Sequence, residues 1–308
     1  MAVAQSPDME LVGVFTRRDP ASVSLLNAQV PVHPQADIGQ FQDQIDVLIL
    51  CGGSKDDLPV QGPAMAALFN TVDSFDTHAT IPEYYAALDE AAKPAGKTAL
   101  LSVGWDPGLF SLNRLYGEAI LPVGETYTFW GKGLSQGHSD AVRRVPGVKA
   151  GVQYTIPAEP AIERVRSGEL PQLTTREKHR RECYVVLAEG AEASEVEQAI
   201  VSMPHYFADY DTAVHFISEE ELRRDHAAMP HGGVVIRSGT SGAGTTQVVE
   251  YTLKLGSNPE FTAAVLVAYA RATWRLNQQG VVGAQTVLDV APGLLSPKSP
   301  AELRKELL

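Results

Sequence analysis

The chain has 308 residues, of which 44% are hydrophobic and 20% are charged, and this balance excludes a largely disordered protein. The net charge of −12 disfavours a broad surface for nucleic acids but leaves room for a local basic pocket. Cys51 and Cys183, the two cysteines, lie far apart, which disfavours a disulfide framework, and no metal-ligand spacing is present. No apolar run approaches the ~18 residues of a membrane span, and no secretory signal is visible, so we expect a cytoplasmic protein without membrane contact.

Strand and helix patterns alternate through the first hundred residues. Apolar runs bounded by turn residues predict strands at 10–15, 45–51, 71–78 and 98–103, and helical patterns lie at 63–69 and 81–95. The run at 45–51 is continuously apolar, which is typical of a strand buried on both faces of a sheet. This alternation predicts a parallel α/β domain.

Two arginines follow the first predicted strand. In Rossmann folds an arginine at the corresponding position accommodates the 2′-phosphate of NADP, which makes Arg17 and Arg18 candidates for that contact. The alternative is a solvated strand end, and the arginines alone favour that alternative. The glycine-rich phosphate loop should precede this position by ~20 residues, but residues 1–20 contain no G-x-G-x-x-G. The spacing therefore predicts that a Rossmann domain here lacks its first strand, phosphate loop and most of its first helix.

Small or acidic residues follow the next two strands. Gly52-Gly53-Ser54 succeeds the strand at 45–51 and would let the backbone approach a ligand closely, so we interpret it as a cofactor wall rather than a simple turn. We interpret Cys51 as a buried small apolar group rather than a nucleophile. Asp76 lies at the acidic exit of the strand at 71–78, with capping of the next turn as the alternative.

The segment Gly104-Trp105-Asp106-Pro107-Gly108 joins a buried strand to an amphipathic pattern that starts at Leu109. Ligands in open α/β sheets bind outside the carboxyl ends of strands, so Asp106 is a candidate to bind an ammonium group. The alternative is that Asp106 is only the N-cap of the helix, with Pro107 at its first position. Trp105 is either a core aromatic residue or a pocket wall.

After Tyr116 the pattern changes to a series of strands. We predict them at 125–131, 148–156, 183–188, 213–217, 229–236 and 247–255, with a long helix at 260–279. The glycine-rich loop 131–140 should precede a helix capped by Ser139 or Asp140. The basic run 176–181 is, by default, a solvated face. A run of strands after α/β alternation predicts a second domain with a mixed or antiparallel sheet.

Several segments, in order, resemble the meso-diaminopimelate D-dehydrogenase family. They are Gly104–Gly108, Phe129-Trp130-Gly131 with GLSQGHSD at 133–140, and MPHGG at 229–233. The similarity runs from about Pro7 to the C-terminus. It implies an NADP-dependent enzyme that oxidatively deaminates the D-centre of meso-diaminopimelate and catalyses the reverse reductive amination with ammonia. It also implies a role in lysine and cell-wall precursor biosynthesis and a homodimer.

The resemblance also implies site residues, each of which has an ordinary structural explanation when taken alone. Asp76 and Asp106 would bind the ammonium group and take its proton. The residues implied around the reacting D-centre are Asp76, Asp106, Trp130, Gln136 and Gly137, and those around the distal L-amino acid end are Thr155, Arg181, His231 and Asn258. The residues implied for NADP are Thr16, Arg17, Arg18, Cys51, Gly52, Gly53, Ser54 and Trp105. No metal is implied.

We therefore predict an α/β protein with two domains. An N-terminally truncated Rossmann-type parallel-sheet domain comprises residues 1–105 with a return of 280–308. An α+β substrate-binding and dimerisation domain with a mixed sheet comprises residues 106–279. Two alternatives remain: a Rossmann oxidoreductase of another small polar substrate, for which only Lys55 and Lys132 lie near the candidate loops, and a catalytically silent chain that binds substrate or dimerises.

Overall fold

The computed structural model describes residues 1–308, except for the side chain of Gln136. The strands are β1 Val14–Thr16, β2 Val32–Pro34, β3 Val47–Leu50, β4 Asn70–Asp73, β5 Thr98–Leu100, β6 Gly124–Trp130, β7 Gly133–Leu134, β8 Val148–Pro157, β9 His179–Leu187, β10 Asp211–Phe216, β11 His231–Ser241, β12 Thr245–Leu255 and β13 Gly283–Gln285. The α-helices are α1 Leu58–Ala66, α2 Ile81–Ala92, α3 Leu109–Ile120, α4 Gln136–Arg143, α5 Glu159–Arg166, α6 Thr175–Lys178, α7 Ala193–Val201, α8 Glu219–Asp225, α9 Asn258–Gln278 and α10 Pro300–Leu307. Among the described residues, no helix combines the length and apolar character needed to cross a membrane.

The chain divides into two compact units. The first comprises residues 1–112 and 260–308, and the second comprises residues 113–259. The predicted division had placed 106–112 and 260–279 in the second domain, whereas the structure assigns both segments to the first unit. For α9 the reason is its apolar face, since Val265, Tyr269 and Leu276 pack with Val72 and Leu100 in one core. The binding roles of the two units stay predictions.

The first unit is built on a parallel sheet with the strand order β13-β5-β4-β3. A second core packs Leu58 of α1 and Leu88 of α2 against Leu101. Strands β1 and β2 form a separate parallel pair. The strand predicted at 45–51 is only half-buried over most of its length, because β3 is the last strand of the sheet in the described chain.

The second unit contains two sheets. The mixed sheet has the order β10-β9-β8-β7, with β9 parallel to β10 and antiparallel to β8. The antiparallel sheet has the order β12-β11-β6. Helices α4 and α7 cover the mixed sheet through Val142, Val196 and Ile200, which pack on Cys183 and Val185. The predicted α/β class, with a parallel sheet in one part and a mixed sheet in another, is confirmed.

Candidate active site

Asp57, which the sequence reasoning missed, joins the two segments predicted to bind the cofactor in the first unit. Arg17 Nη1 donates to Asp57 Oδ1 at 2.6 Å, and the amide of Gly53 donates to Asp57 Oδ2 at 3.0 Å. The Thr16 hydroxyl accepts the amide of Arg18 at 3.1 Å, so the ends of β1 and β3 carry an ordered polar surface. The Arg17 guanidinium beside Asp57 holds the pKa of that carboxyl below its usual range, so both groups stay charged at pH 7.

The side chains of Asp57 and Gln61 pack closely against Gly52 and leave no space for a side chain there. A Cβ atom at Gly52 would lie 2.7 Å from the Asp57 Cβ and 2.9 Å from Gln61 Oε1, closer than real Cβ atoms come. The interpretation of Cys51 as a buried apolar group is wrong. Strand β3 ends at Leu50, and Cys51 is exposed in the turn beyond it.

Asp76 lies three residues beyond the end of β4, and its backbone is tied to the candidate cofactor turn. Its amide donates to Ser54 Oγ at 3.1 Å, while the residue itself is exposed. The alternative that Asp76 caps the next turn gains no support, because the 3₁₀-helix His78–Thr80 has Thr77 as its N-cap and no side-chain capping bond among the described residues. The carboxylate at Asp76 is therefore presented to solvent.

Asp106 lies in a tight turn before α3 and is not the N-cap of that helix. The helix begins at Leu109, two residues after Pro107, and its first i to i+4 hydrogen bond joins the Leu112 amide to the Gly108 oxygen at 3.1 Å. The Gly104 and Trp105 oxygens accept the amides of Leu109 and Phe110 across five residues, at 3.0 and 2.7 Å, within the turn that precedes the helix. Gly108 has a φ of 130°, and a Cβ there would lie 1.9 Å from the Gly104 oxygen, so only glycine fits this turn. Trp105 is buried, with its ring edge-on to Phe110 at 5.3 Å.

In the second unit, the strand register aligns Arg181 with two residues on neighbouring strands. Thr155 of β8 and Thr212 of β10 both pair with Arg181 of β9. Arg181 Nη1 donates to Thr155 Oγ1, and the guanidinium carbon lies 3.9 Å from the centre of the Tyr210 ring. The expectation that the run 176–181 is a solvated face is wrong for Arg181, because β9 begins at His179 and turns Arg181 into a buried strand position.

The charge of Arg181 is not neutralised by a carboxylate among the residues that the structure describes. Its Nε has no hydrogen-bond partner there, and burial lowers the pKa of the guanidinium. A buried cation without a counter-charge is costly, so this arrangement suits an anion that arrives from outside the chain. Tyr210 was not predicted, because its contact with Arg181 depends on the pairing of β9 with β10, which no local sequence pattern reveals.

His231 is the first residue of β11 and Trp130 is the last residue of β6, and these two strands are neighbours in the antiparallel sheet. Each residue makes a hydrogen bond that involves a histidine ring. The His231 ring packs on Gly133, where a Cβ would lie 2.4 Å from the ring. The amide of Gly232 donates to His231 Nδ1 at 2.8 Å, and burial lowers the pKa of the ring, so at pH 7 the imidazole is neutral. The amide of Trp130 donates to Nε2 of His179 at 2.8 Å, and the two rings stack at 5.4 Å. His179 had not been predicted.

The helix after the glycine-rich loop begins earlier than predicted. Strand β7 occupies 133–134 and α4 starts at Gln136 with Ser135 as its N-cap, so neither Ser139 nor Asp140 caps it. The Ser139 hydroxyl is inside the helix, where it donates to the Ser135 oxygen and accepts the amide of Gln153. Gly137 lies in the first turn of α4, where amides have no partner within the helix. The side chain of Gln136 lies outside the described part of the chain.

Asn258 stands at the amino end of α9. Its amide donates to the carbonyl oxygen of Met229 at 2.9 Å, which ties it to the segment that leads into His231. The structure therefore brings Asn258, His231 and Gly133 to one region of the second unit, and Gly133 pairs with Thr155 in the mixed sheet.

Residues 104–257 match the family model of the diaminopimelic acid dehydrogenase C-terminal domain. The whole chain is 65% identical over 307 residues to the meso-diaminopimelate D-dehydrogenase of Lysinibacillus sphaericus and covers 94% of that relative. The chain belongs to the meso-diaminopimelate D-dehydrogenase family. The two alternative hypotheses, another Rossmann oxidoreductase and a silent binding chain, gain no support from these relatives.

Solved structures related to this meso-diaminopimelate D-dehydrogenase family member share its fold along the chain. A six-substitution variant of meso-dapdh from Clostridium tetani E88, determined with DAP, is 55% identical, has a TM-score of 0.94 and matches 100% of this chain and 94% of its own. Its six substituted residues have the same types, order and spacing as Gln136, Thr155, Arg181, Pro230, His231 and Asn258. An engineered D-amino acid dehydrogenase bound to NADP⁺ is 46% identical, with a TM-score of 0.85 and coverage of 99% and 94%.

Proposed function

We propose that this chain catalyses the NADP-dependent oxidative deamination of the D-centre of meso-2,6-diaminopimelate to L-2-amino-6-oxopimelate and ammonia, and the reverse reductive amination, in lysine biosynthesis. The observation that carries the proposal is the buried guanidinium of Arg181, which has no carboxylate partner among the described residues of a chain 65% identical to such an enzyme. A substrate with a carboxylate at each end supplies the missing charge.

Arg181, Thr155, His231 and Asn258 are proposed to hold the distal L-amino acid end of the substrate. A guanidinium binds a carboxylate through two parallel hydrogen bonds, which fixes the orientation of the ligand. His231 Nδ1 lies 2.8 Å from the Gly232 amide and 3.1 Å from the Gly232 oxygen, and in the tautomer in which Nδ1 accepts the amide, Nε2 carries the proton and can donate to a carboxylate. The correspondence with the six substituted residues of the Clostridium tetani variant supports this set.

Asp76 and Asp106 are proposed to bind the ammonium group of the D-centre and to take its proton as the carbon–hydrogen bond breaks. The exposed position of Asp76 and its place beyond β4 suit such a role. The Gly137 amide and Gln136 would hold the carboxylate next to the reacting carbon, and Trp130 would border it. Water then hydrolyses the imine carbon–nitrogen bond and releases ammonia.

The residues at the ends of β1 and β3 fit the adenosine part of NADP. Arg17 and Arg18 follow β1 and are exposed, as a 2′-phosphate contact requires, and Thr16 lies with them. Cys51, Gly52, Gly53 and Ser54 would line the ribose and pyrophosphate, and Trp105 would border the nicotinamide. The chemistry that bound NADP⁺ supplies is acceptance of the hydride from the D-carbon.

A spectrophotometric assay of NADPH formation tests this function. We expect turnover of meso-diaminopimelate with NADP⁺, release of one ammonia per NADPH, and much weaker activity with NAD⁺, which lacks the 2′-phosphate. The L,L-isomer, which has no D-centre, is the matched control and should give no NADPH. Absence of turnover with the meso-isomer, or equal turnover of the L,L-isomer, would contradict the proposal.

We also propose that the enzyme works as a homodimer in the cytoplasm. The long strand β12 supports self-association, because it is the last strand of its sheet in the described chain and exposes Val248 and Val249. Light scattering coupled to size-exclusion chromatography should give twice the chain mass of 33.1 kDa. A monomer at assay concentration would refute the dimer without affecting the proposed reaction.

A further inference from the structure

A buried carboxylate lies behind the two segments that carry Asp76 and Asp106 in the first unit. Asp73, the last residue of β4, is fully buried. Its Oδ1 accepts the amide of Phe75 at 2.9 Å and the amide of Ser102 at 3.2 Å. Its backbone oxygen accepts the amide of Val103 at 2.8 Å. Asp73 therefore binds the first residues of two segments, the one that follows β4 and the one that follows the neighbouring strand β5.

The second oxygen of this carboxylate is held from α2. The Tyr84 hydroxyl donates to Asp73 Oδ2 at 2.7 Å, and the Tyr84 ring stacks on Phe75 at 4.2 Å. Gly62 of α1 leaves the space for that hydroxyl, since a Cβ there would lie 2.1 Å from it. Burial raises the pKa of the Asp73 carboxyl to about 6, so at pH 7 it is mainly the carboxylate and accepts from all three donors.

Both bound segments lead to a residue that the proposed function uses. Asp76 follows Phe75 directly, and its own amide is held by Ser54. Ser102 has a positive φ of 56°, which an L-residue rarely adopts, and it directs the chain from β5 into the turn that contains Trp105 and Asp106. The hydrogen bond that the Ser102 amide donates to Asp73 Oδ1 helps maintain this conformation.

We propose that Asp73 is a positioning residue that fixes the segments bearing Asp76 and Asp106 relative to each other. The catalytic part of this inference rests on the proposed function, while the positioning part rests only on the contacts of Asp73. A displacement of about 1 Å at reacting groups can cost roughly 100-fold in rate, so one shared anchor for both loops has a large effect on the reaction.

Two variants separate positioning from charge. Asp73→Ala removes every side-chain acceptor, whereas Asp73→Asn keeps an oxygen for the amides of Phe75 and Ser102. Asp73→Ala should accelerate amide hydrogen exchange in 74–76 and 102–106 together and lower kcat/KM for meso-diaminopimelate about 100-fold. Asp73→Asn should keep wild-type exchange in both segments and stay within about threefold of wild-type kinetics.

Asn70 provides a matched control at the other end of the same strand. It is buried, and it bridges the neighbouring strands by donating to the Asp46 oxygen at 2.9 Å and accepting the Thr98 amide at 3.0 Å. Asn70→Ala should lower the unfolding midpoint but leave exchange at 74–76 and 102–106, and kcat/KM of the folded protein, unchanged.

Each outcome decides the proposal. It is overturned if folded Asp73→Ala has wild-type exchange and kinetics, or if Asp73→Asn loses activity with unchanged exchange, since charge would then matter rather than position. If Asp73→Ala does not fold, the wild-type chain still tests it. The amides of Phe75 and Ser102 must exchange as slowly as those of β4 and β5, and fast exchange overturns the proposal. A wild-type chain without turnover would refute the proposed function and leave the exchange measurements to decide positioning.

Discussion

The two sheets of the second unit each contain a buried arginine, and the surroundings of the two side chains differ. Arg237 of β11 donates from Nε and Nη2 to the Leu121 oxygen at 3.0 and 2.6 Å, and from Nη1 to Thr126 Oγ1 at 3.1 Å. Arg181 of β9 is equally buried, but it has one hydroxyl and one aromatic ring as partners and an unpaired Nε among the described residues.

This difference separates a buried arginine that supports the fold from one available for a ligand. The bonds of Arg237 tie the end of α3 to β6 and β11, and all its donor nitrogens have acceptors, so its burial is compensated within the chain. Arg181 has a single hydroxyl acceptor and an unpaired Nε among the described residues, so its donors are not satisfied as those of Arg237 are, and a bound anion would supply the missing acceptors.

The largest expected effect comes from replacing these two arginines in turn. Arg181→Met should lower kcat/KM for meso-diaminopimelate about 1000-fold, equivalent to about 4 kcal/mol, because the substrate carboxylate loses its buried partner. It should not lower the free energy of unfolding, because it removes an uncompensated buried charge. Steady-state kinetics and urea denaturation measure the two quantities.

Arg237→Met is the matched control, with the opposite pattern. It should lower the free energy of unfolding by about 3 kcal/mol or more, since the oxygens of Leu121 and Pro122 lose their donors, and should leave kcat/KM of the folded enzyme unchanged. Equal loss of stability in both variants, or unchanged kinetics in Arg181→Met, would show that the two arginines do not differ in role.

Local sequence patterns predicted most of the helices and strands, because the spacing of apolar residues follows which face of a helix or strand is buried. The alternation in 125–131 and 247–255 predicted β6 and β12. The predicted start of α4 lies too far along the sequence, because Ser139 and Asp140 are residue types that commonly cap helices. The short strand β7 ends at Leu134, and the helix starts at Gln136.

The environment of the candidate site residues could not be predicted from the sequence in the same way. Arg181 looked like part of a charged run, and its burial follows from the register with Thr155 and Thr212, which no local pattern reveals. Asp57 and Asp73 were missed for the same reason, since their partners lie 40 and 29 residues away in the chain. Asp106 was interpreted as a possible N-cap from the Asp-Pro pair, but the first helical hydrogen bond uses the oxygen of Gly108, two residues beyond Asp106.

A smaller effect is expected at Asp73, a buried anion whose carboxylate accepts hydrogen bonds from three donors of its own chain, as the buried Arg237 cation donates to acceptors of its own chain. Its pKa rises from 3.8 to about 6 in the folded state because of burial. The folded protein therefore binds a proton that the unfolded chain does not bind between these values. The stabilisation from this group is fully present below pH 3.8 and is lost as the pH rises through about 6.

Asp73→Asn, which is neutral at every pH, should remove this dependence. Relative to wild type, its free energy of unfolding should rise from about pH 4 to pH 7, by up to about 3 kcal/mol for a shift of this size. Urea denaturation across this range measures the difference. Asp57→Asn is the control of opposite sign, because Arg17 lowers the pKa of Asp57 and its contribution is lost as the pH falls. A flat difference for Asp73→Asn would mean that the three donors to its carboxylate fully offset the cost of burying the charge, as the carbonyl oxygens do for Arg237.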